Sequence, residues 1–379
     1  MKPEKRILVF IDWFLPGYKA GGPITSVRNM IDNLYSEARF MVVTRDRDYM
    51  SETPYENIQT DKWIENDRFD VYYVSENQLN KTVIDKIIFE TDYDLAMVNG
   101  IYSKYFSVIP LKTLKRKNKP IIVSVRGMLA KSARDINPLK KKLFLFYARL
   151  SKLFKDVTFH ATNKSEASEI KLFFNNNRIV VAPNMLPVIE GEKVKRIQKK
   201  QGELKLLFLG RVAPEKNTLF AIQSIKGIKG SVQLDIVGSI YNKEYWQKCE
   251  QEISTSGKNI EIKYSGTKAP NEISKLLGAY HFLYLPTRGE NFGHAILESL
   301  LHDRPVITSE FTPWTDINNK AGFIADIGSI ESTEKLIQRI VDINDDNYNE
   351  LCKSLKLYTQ KYVQNNNGLK ENRILLGLI

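Results

Sequence analysis

Leu204-Lys-Leu-Leu-Phe-Leu-Gly210-Arg211-Val-Ala-Pro-Glu-Lys216 decides the architecture. The run Leu204 to Leu209 has the large apolar side chains expected of a strand buried on both faces. It runs directly into Gly210-Arg211, which puts the cations Arg211 and Lys216 at its carboxyl end. That is the edge at which open α/β sheets bind ligands. An Arg fork beside a Lys point charge suits a diphosphate. Taken by itself, the pattern also fits a surface ion pair.

Further strand-like runs follow at Leu234 to Val237, Ile260 to Tyr264, Phe282 to Leu285, Val306 to Thr308 and Gly322 to Ala325, interleaved with helical patterns. This alternation is the signature of βαβ units and a parallel sheet. A similar series precedes it, at Ile7 to Asp12, Phe40 to Thr44, Val71 to Val74, Leu95 to Val98, Ile121 to Val125, Val157 to Phe159 and Ile179 to Val181. The Pro-Asn-Met-Leu-Pro segment from Pro183 and the Lys-rich stretch after it have the composition of a linker. The expected division is a first Rossmann-like domain at 1–185, a linker at 186–203 and a second Rossmann-like domain at 204–364. Residues 365–379 are free to return to the first domain. A length of 379 residues suits two such cores.

After Phe282 to Leu285 the chain reads Pro286-Thr-Arg-Gly-Glu290-Asn291-Phe292-Gly293-His-Ala-Ile-Leu-Glu298. Gly293 marks a turn into a helix, with Glu290 in the loop before it and Glu298 early within it. Backbone N–H groups at a helix N-terminus attract phosphate, and carboxylates accept hydrogen bonds from sugar hydroxyls. Together they suit a nucleotide-sugar. The plainer reading makes Glu290 a surface loop residue and Glu298 an acid favoured by the helix dipole.

The order of these blocks resembles glycosyltransferase family 4 of the GT-B fold. The blocks are Gly210-Arg211 with Lys216-Asn217, Glu290-x7-Glu298 around Asn-Phe-Gly, Arg304-Pro305-Val306, and Thr312-Pro313-Trp314. In the first half, Gly21-Gly22-Pro23 resembles the family's glycine-rich loop, Arg126-Gly127-Met128-Leu129 and His160-Ala161-Thr162-Asn163 resemble blocks of a bacterial polysaccharide-type subgroup, and Pro183-Asn184 ends the domain. The resemblance implies an α/β GT-B protein, two doubly wound parallel-sheet domains facing across a cleft. It implies a retaining transferase that moves sugar from a nucleotide-diphosphate sugar to a saccharide or lipid-pyrophosphate-linked saccharide, as in capsule or O-antigen synthesis.

By the same resemblance, Arg211 and Lys216 neutralise the departing diphosphate. Glu290 and the amides of Asn291, Phe292 and Gly293 hold the transferred sugar, Glu298 bonds the ribose, and Gly210 is a further donor-binding residue. Gly21, Gly22, Arg126 and His160 are the implied acceptor or phosphate contacts. No cofactor, metal or protein nucleophile is implied beyond the donor as co-substrate. The sequence departs from the family pattern at Asp303, where a Gly is common, at Val98-Asn99-Gly100, where a His-containing version is common, and at Met185, which follows Pro183-Asn184 in place of Gly.

The net charge of +12 resides almost wholly in residues 111–155, where fourteen Lys and Arg face the single acid Asp135. Such concentration points to an anionic partner. Within it, Leu143, Phe146, Tyr147, Leu150, Leu153 and Phe154 recur at helical spacing among lysines. Two placements fit: a domain helix packing this stripe on the sheet, or a basic amphipathic helix meeting an anionic membrane.

The early run Ile7 to Ile11 is too short for a signal segment and no run approaches a spanning helix, so a cytoplasmic protein, peripheral on the inner face of the membrane, is expected. Cys249 and Cys352 lack paired spacing and read as packing residues. Asp46-Arg-Asp48 and Asp92-Tyr-Asp94 spell an Asp-x-Asp metal motif but read as loop acids, and the four histidines have no ligand-type spacing. Nucleic acid is disfavoured for want of a recognition motif. The remaining alternatives are a GT-B nucleotide-sugar epimerase and a non-catalytic two-domain binding protein. A glycogen-type phosphorylase lacks its pyridoxal-phosphate lysine site here.

Overall fold

The computed structural model describes residues 5–134, 137–188 and 196–379. Asp135 and the 189–195 part of the expected linker lie outside them. The chain divides into a first unit, Met1–Ile189 with Asn366–Ile379, and a second unit, Glu190–Asn365.

The first unit holds β1 (Lys5–Phe10), β2 (Ala38–Arg45), β3 (Trp63–Glu65), β4 (Phe69–Val74), β5 (Leu95–Asn99), β6 (Ile121–Ser124), β7 (Thr158–Ala161) and β8 (Arg178–Val181). They form one sheet in the order β3-β4-β2-β1-β5-β6-β7-β8. All neighbours pair in parallel except β3, which runs antiparallel on β4 at the edge. Edge strand β3 escapes sequence reading because three residues cannot display an alternation. It is held by the Trp63–Tyr72 ring contact at 5.5 Å.

Alternate side chains of β1 enter different cores, as the two-residue strand period requires. Leu8 and Phe10 join one face with Val43, Val98 and Phe159. Ile7 and Val9 join the other with Val42, Met97 and Leu376.

The second unit holds β9 (Glu203–Leu209), β10 (Ser231–Val237), β11 (Ile260–Tyr264), β12 (Phe282–Leu285), β13 (Val306–Ser309) and β14 (Gly322–Ala325). Their order is β11-β10-β9-β12-β13-β14, parallel throughout. Numbered from the first, that is the 3-2-1-4-5-6 order of a dinucleotide-binding sheet, with its topological switch between β9 and β12. Asp303, standing where a Gly is common, adopts the left-handed conformation itself at φ 55°. Acidic and amide side chains tolerate that region best after Gly.

Residues 196–202, expected within the linker, are instead pinned to the second unit. Arg196 grips Asp345 through both carboxylate oxygens. Lys199, fully buried, donates its ammonium protons to the carbonyls of Val341 and Ile343 at 2.9 and 3.0 Å. A buried ammonium persists only when satisfied in this way, and burial still pulls it down to about 8.

The helix Gly368–Leu376 belongs to the first unit. Leu375 and Leu376 enter its core, Asn372 donates to the Pro183 carbonyl at 2.8 Å, and Arg373 clasps Glu37. Leu376→Ala is expected to destabilise this unit by about 2–5 kcal/mol. Denaturant unfolding followed by first-unit and second-unit probes should show only the first transition moving.

Candidate functional site

Next to the switch point of the second sheet, Gly210 leaves β9 and Gly238 leaves the neighbouring β10 with their backbones in contact. The Gly210 amide donates to the Val237 carbonyl at 2.9 Å. A Cβ on Gly238, at φ 149°, would stand 2.0 Å from the Gly210 oxygen. Only glycine permits this approach, and sequence reading missed it.

Arg211 follows, with its guanidinium 3.1 Å from Glu215 and 5.4 Å from the Tyr241 ring centroid. Lys216 donates to Glu290 in a close ion pair, with side chains 19% and 11% exposed. The structure thus brings together two residues 74 positions apart.

The loops are tied so that this meeting is fixed. Asn217, left-handed at φ 61°, donates to the Pro286 carbonyl at 3.1 Å and accepts from Arg288 at 3.2 Å. The Glu215 carbonyl accepts from the Thr287 hydroxyl and the Arg288 amide, both at 2.9 Å. The Glu290 amide donates to Phe311 at 3.1 Å. Glu215 and Arg288 are structural residues whose roles depend on tertiary contact, so no local pattern announces them.

Gly293 takes the cap position of the helix His294–Leu301 at φ 82°. Among the described residues no side chain caps it, so its first turn presents backbone donors. Trp314 seals the loop from beneath, donating its indole N–H to the Phe292 carbonyl and lying 5.9 Å from the Phe292 ring. Asn291 and Phe292 are partly exposed on this loop, and Glu298 is half-buried in the helix.

The first unit has its own polar cluster at the carboxyl edge of its sheet. Arg126, left-handed at φ 57°, donates to Asn99 at 3.1 and 3.2 Å and to Asn184 at 3.0 Å. Burial pulls its guanidinium down to about 10, with Glu166 opposing. Glu166, 1% exposed, accepts from the Gly127 amide at 2.6 Å and from the Thr162 amide and hydroxyl, both at 2.7 Å. It fixes the Arg126-Gly127 turn. Its Asn163-x-x-Glu166 spacing announces a helix start, but not this longer reach.

His160 departs from the expectation that it contacts a ligand. It is 1% exposed, with Nε2 at 2.8 Å from the Ala182 carbonyl and Nδ1 at 2.8 Å from the Ser124 hydroxyl. A carbonyl only accepts, so Nε2 carries the proton and Nδ1 accepts from Ser124. Neither nitrogen is left for a ligand, and the residue braces β6, β7 and the segment after β8.

Gly21, at φ 71°, precedes the helix Gly22–Leu34, which Pro23 opens. Asp48 holds the loop before it by accepting from the Tyr18 and Lys19 amides at 3.0 and 3.2 Å, while Asp46 pairs with Arg47 at 2.8 Å. Asp92 and Asp94 bind Arg6, through its guanidinium and its amide. At the end of β1, burial pushes the Asp12 carboxyl up, against the Ser103 hydroxyl at 2.7 Å and Arg45 at 3.6 Å.

Known proteins resemble this chain in sequence and in fold. Residues 189–362 match the family of glycosyl transferases group 1. The capsular polysaccharide biosynthesis glycosyltransferase CapM of Staphylococcus aureus is 26% identical over 148 residues, 38% of this chain and 37% of that one. The chain therefore matches about a third of the length of that relative. The uncharacterized glycosyltransferase MJ1178 of Methanocaldococcus jannaschii is 22% identical over 76% of this chain and 75% of its own. Among solved structures, Anabaena HepE in complex with UDP and glucose superposes with a TM-score of 0.70 at 14% identity, covering 98% of both chains. The two doubly wound units are those of the GT-B fold.

Two outcomes are expected. Gly238→Ala should force the Gly210 turn aside and cost about 1–3 kcal/mol, readable as a lower midpoint of the second-unit transition. His160 titrates at 6.5 when unfolded, but burial, then Arg126, pull it to about 3 when folded. Between those values only the unfolded chain binds its proton, so stability present above pH 6.5 is lost on acidification at about 1.4 kcal/mol per unit. Denaturant midpoints of the first unit at pH 7 and 5 should diverge less in His160→Gln than in wild type.

Proposed function

We propose that the protein is a retaining glycosyltransferase that moves a sugar from a nucleotide-diphosphate sugar to a saccharide or lipid-pyrophosphate-linked saccharide in bacterial surface polysaccharide synthesis. The observation that carries the reading is the Lys216–Glu290 pair beside Arg211 at the switch point of β9 and β12. A cation for phosphate and a carboxylate for sugar hydroxyls stand in direct contact there. A bound nucleotide-sugar has that same order of charge, a diphosphate joined to a polyol.

In this reading Arg211 and Lys216 stabilise the charge that develops as the diphosphate leaves, the task a metal ion performs elsewhere. Glu290 and the amides of Asn291 to Gly293 hold the sugar, and Glu298 accepts from the ribose hydroxyls. The acceptor hydroxyl attacks the anomeric carbon from the face the diphosphate leaves, its proton passing to the departing phosphate oxygen. No side-chain nucleophile takes part, and configuration is retained. Arg126, held only by neutral amide oxygens, keeps its charge for an anionic acceptor group, with Gly21 and Gly22 opening a helix N-terminus on the same sheet edge. The capsular relative supports the polysaccharide setting, and HepE, solved also in complex with UDP-glucose, makes that the first donor to try.

The test is a thermal-shift screen of UDP, GDP, ADP and their sugar conjugates on wild type, Lys216→Ala and Glu298→Ala. A ligand at 100 times its dissociation constant adds about 2.7 kcal/mol. One nucleotide class should stabilise the wild type and lose that effect in both variants, and Lys216→Ala should lower transfer by about 100-fold or more. A wild type that responds to no nucleotide, or variants that respond undiminished, would sink the assignment.

A further inference from the structure

The helix Pro138–Leu150 is apolar on two opposite faces. Phe144, Leu145 and Ala148 face inward and join the first-unit core, with Phe144 edge-on to Tyr102 at 5.0 Å. Leu139, Leu143, Phe146 and Leu150 are 70%, 61%, 63% and 68% exposed. The placement that packs the whole stripe on the sheet is therefore not the one adopted: Leu153 and Phe154 are buried, whereas Leu143, Phe146, Tyr147 and Leu150 are not.

Steps of four, three and four residues confine the exposed set to a stripe about 60° wide, opposite the packed face. Lys142 and Arg149 border it on one side, Lys140 and Tyr147 on the other. Lys112 sits over the Tyr147 ring at 5.4 Å. Packing of the inner face already anchors the helix, so nothing within the unit requires the outer stripe. Exposed apolar side chains are ordinary when scattered, and informative when contiguous and rimmed by charge.

The rim decides the occupant. Lys140, Lys142 and Arg149, in a segment with fourteen cations and one acid, suit an extended anionic surface, and the apolar stripe between them suits an apolar layer directly behind it. An anionic lipid interface presents both at the required depth. Among the described residues no helix is long and apolar enough to cross a membrane, so contact through this face would lie in the plane of the interface.

We propose that this face docks the protein on an anionic lipid surface. Leu139, Leu143, Phe146 and Leu150 enter the acyl boundary while Lys140, Lys142 and Arg149 meet lipid phosphates. The proposal names the surface that would bring a lipid-linked acceptor to the first unit, yet it rests on the exposed stripe and not on donor binding, so the two readings fail separately.

The experiment is co-sedimentation with vesicles of phosphatidylcholine alone or mixed with phosphatidylglycerol, at low and high salt. The proteins are wild type, Leu143→Ser/Phe146→Ser, Lys140→Gln/Lys142→Gln/Arg149→Gln, and Leu357→Ser, an equally exposed leucine of the second unit. Wild type should bind the anionic vesicles, less so at high salt. The double variant should bind about tenfold more weakly, the triple variant should lose the lipid preference, and Leu357→Ser should match wild type. Circular dichroism and the nucleotide thermal shift should be unchanged in all of them. Equal recovery with both vesicle types, or undiminished binding by the double variant, overturns the proposal. So does a wild-type dimer in sedimentation velocity that the double variant abolishes, since the stripe would then join two copies of the chain.

Discussion

Parallel strands joined by right-handed crossovers can be laid out from a starting strand in one direction only until the chain turns back to fill the other side. In the second unit that reversal falls between β9 and β12, and the loops leaving the two strands go opposite ways. No crossover covers the gap that results. The loop residues described above gather at that gap: Gly210 and Arg211 from one side, Thr287 and Glu290 from the other, and Lys216 paired with Glu290. The same reversal occurs in the first unit between β1 and β5, where Asp12 lies just after β1 and Asn99 ends β5. Placement of the polar groups follows from connectivity before any particular residue is considered.

Given that placement, the two units solve the problem of burying polar groups differently. The second pairs opposite charges, Lys216 with Glu290 and Arg196 with Asp345, and lets backbone carbonyls absorb Lys199. At its polar cluster the first unit leaves Arg126 out of any such pair, although elsewhere it pairs Arg45 with Asp12 and Arg47 with Asp46. Arg126 rests on neutral amides while Glu166 spends its oxygens on N–H and O–H donors. An arginine so held retains most of its pull on an incoming anion, since no ion pair must first be broken. His160, neutral and doubly bonded, contributes rigidity to this arrangement and no charge.

How much of this could be read beforehand depended on whether the information was local. Runs such as Leu206 to Leu209 and Ile121 to Val123 declare themselves because burial on both faces leaves no polar interruption. Edge strand β3 does not, being three residues long with one face open. The motifs around Arg211, Lys216 and Glu290 are legible because each sits at a strand end or helix start with its own turn chemistry. Gly238, Glu215 and Glu166 are not, because each matters through a partner supplied by another loop. The basic helix was legible as amphipathic, but its sequence contains two apolar faces, and only packing determines which one is used.

The helix Gly368–Leu376 completes a core whose other members all precede residue 190. The chain therefore makes most of its first unit, then the whole of its second, and returns to the first. On a ribosome this order has a consequence. The second unit is contiguous and can close as soon as it has emerged, whereas the first waits for Leu375 and Leu376 to complete its core and for Asn372 and Arg373 to reach Pro183 and Glu37. During that interval apolar side chains that Leu375 and Leu376 later cover stay open to wrong partners. A chaperone that recognises extended apolar segments would find its substrate there, in the half of the protein synthesised first and finished last.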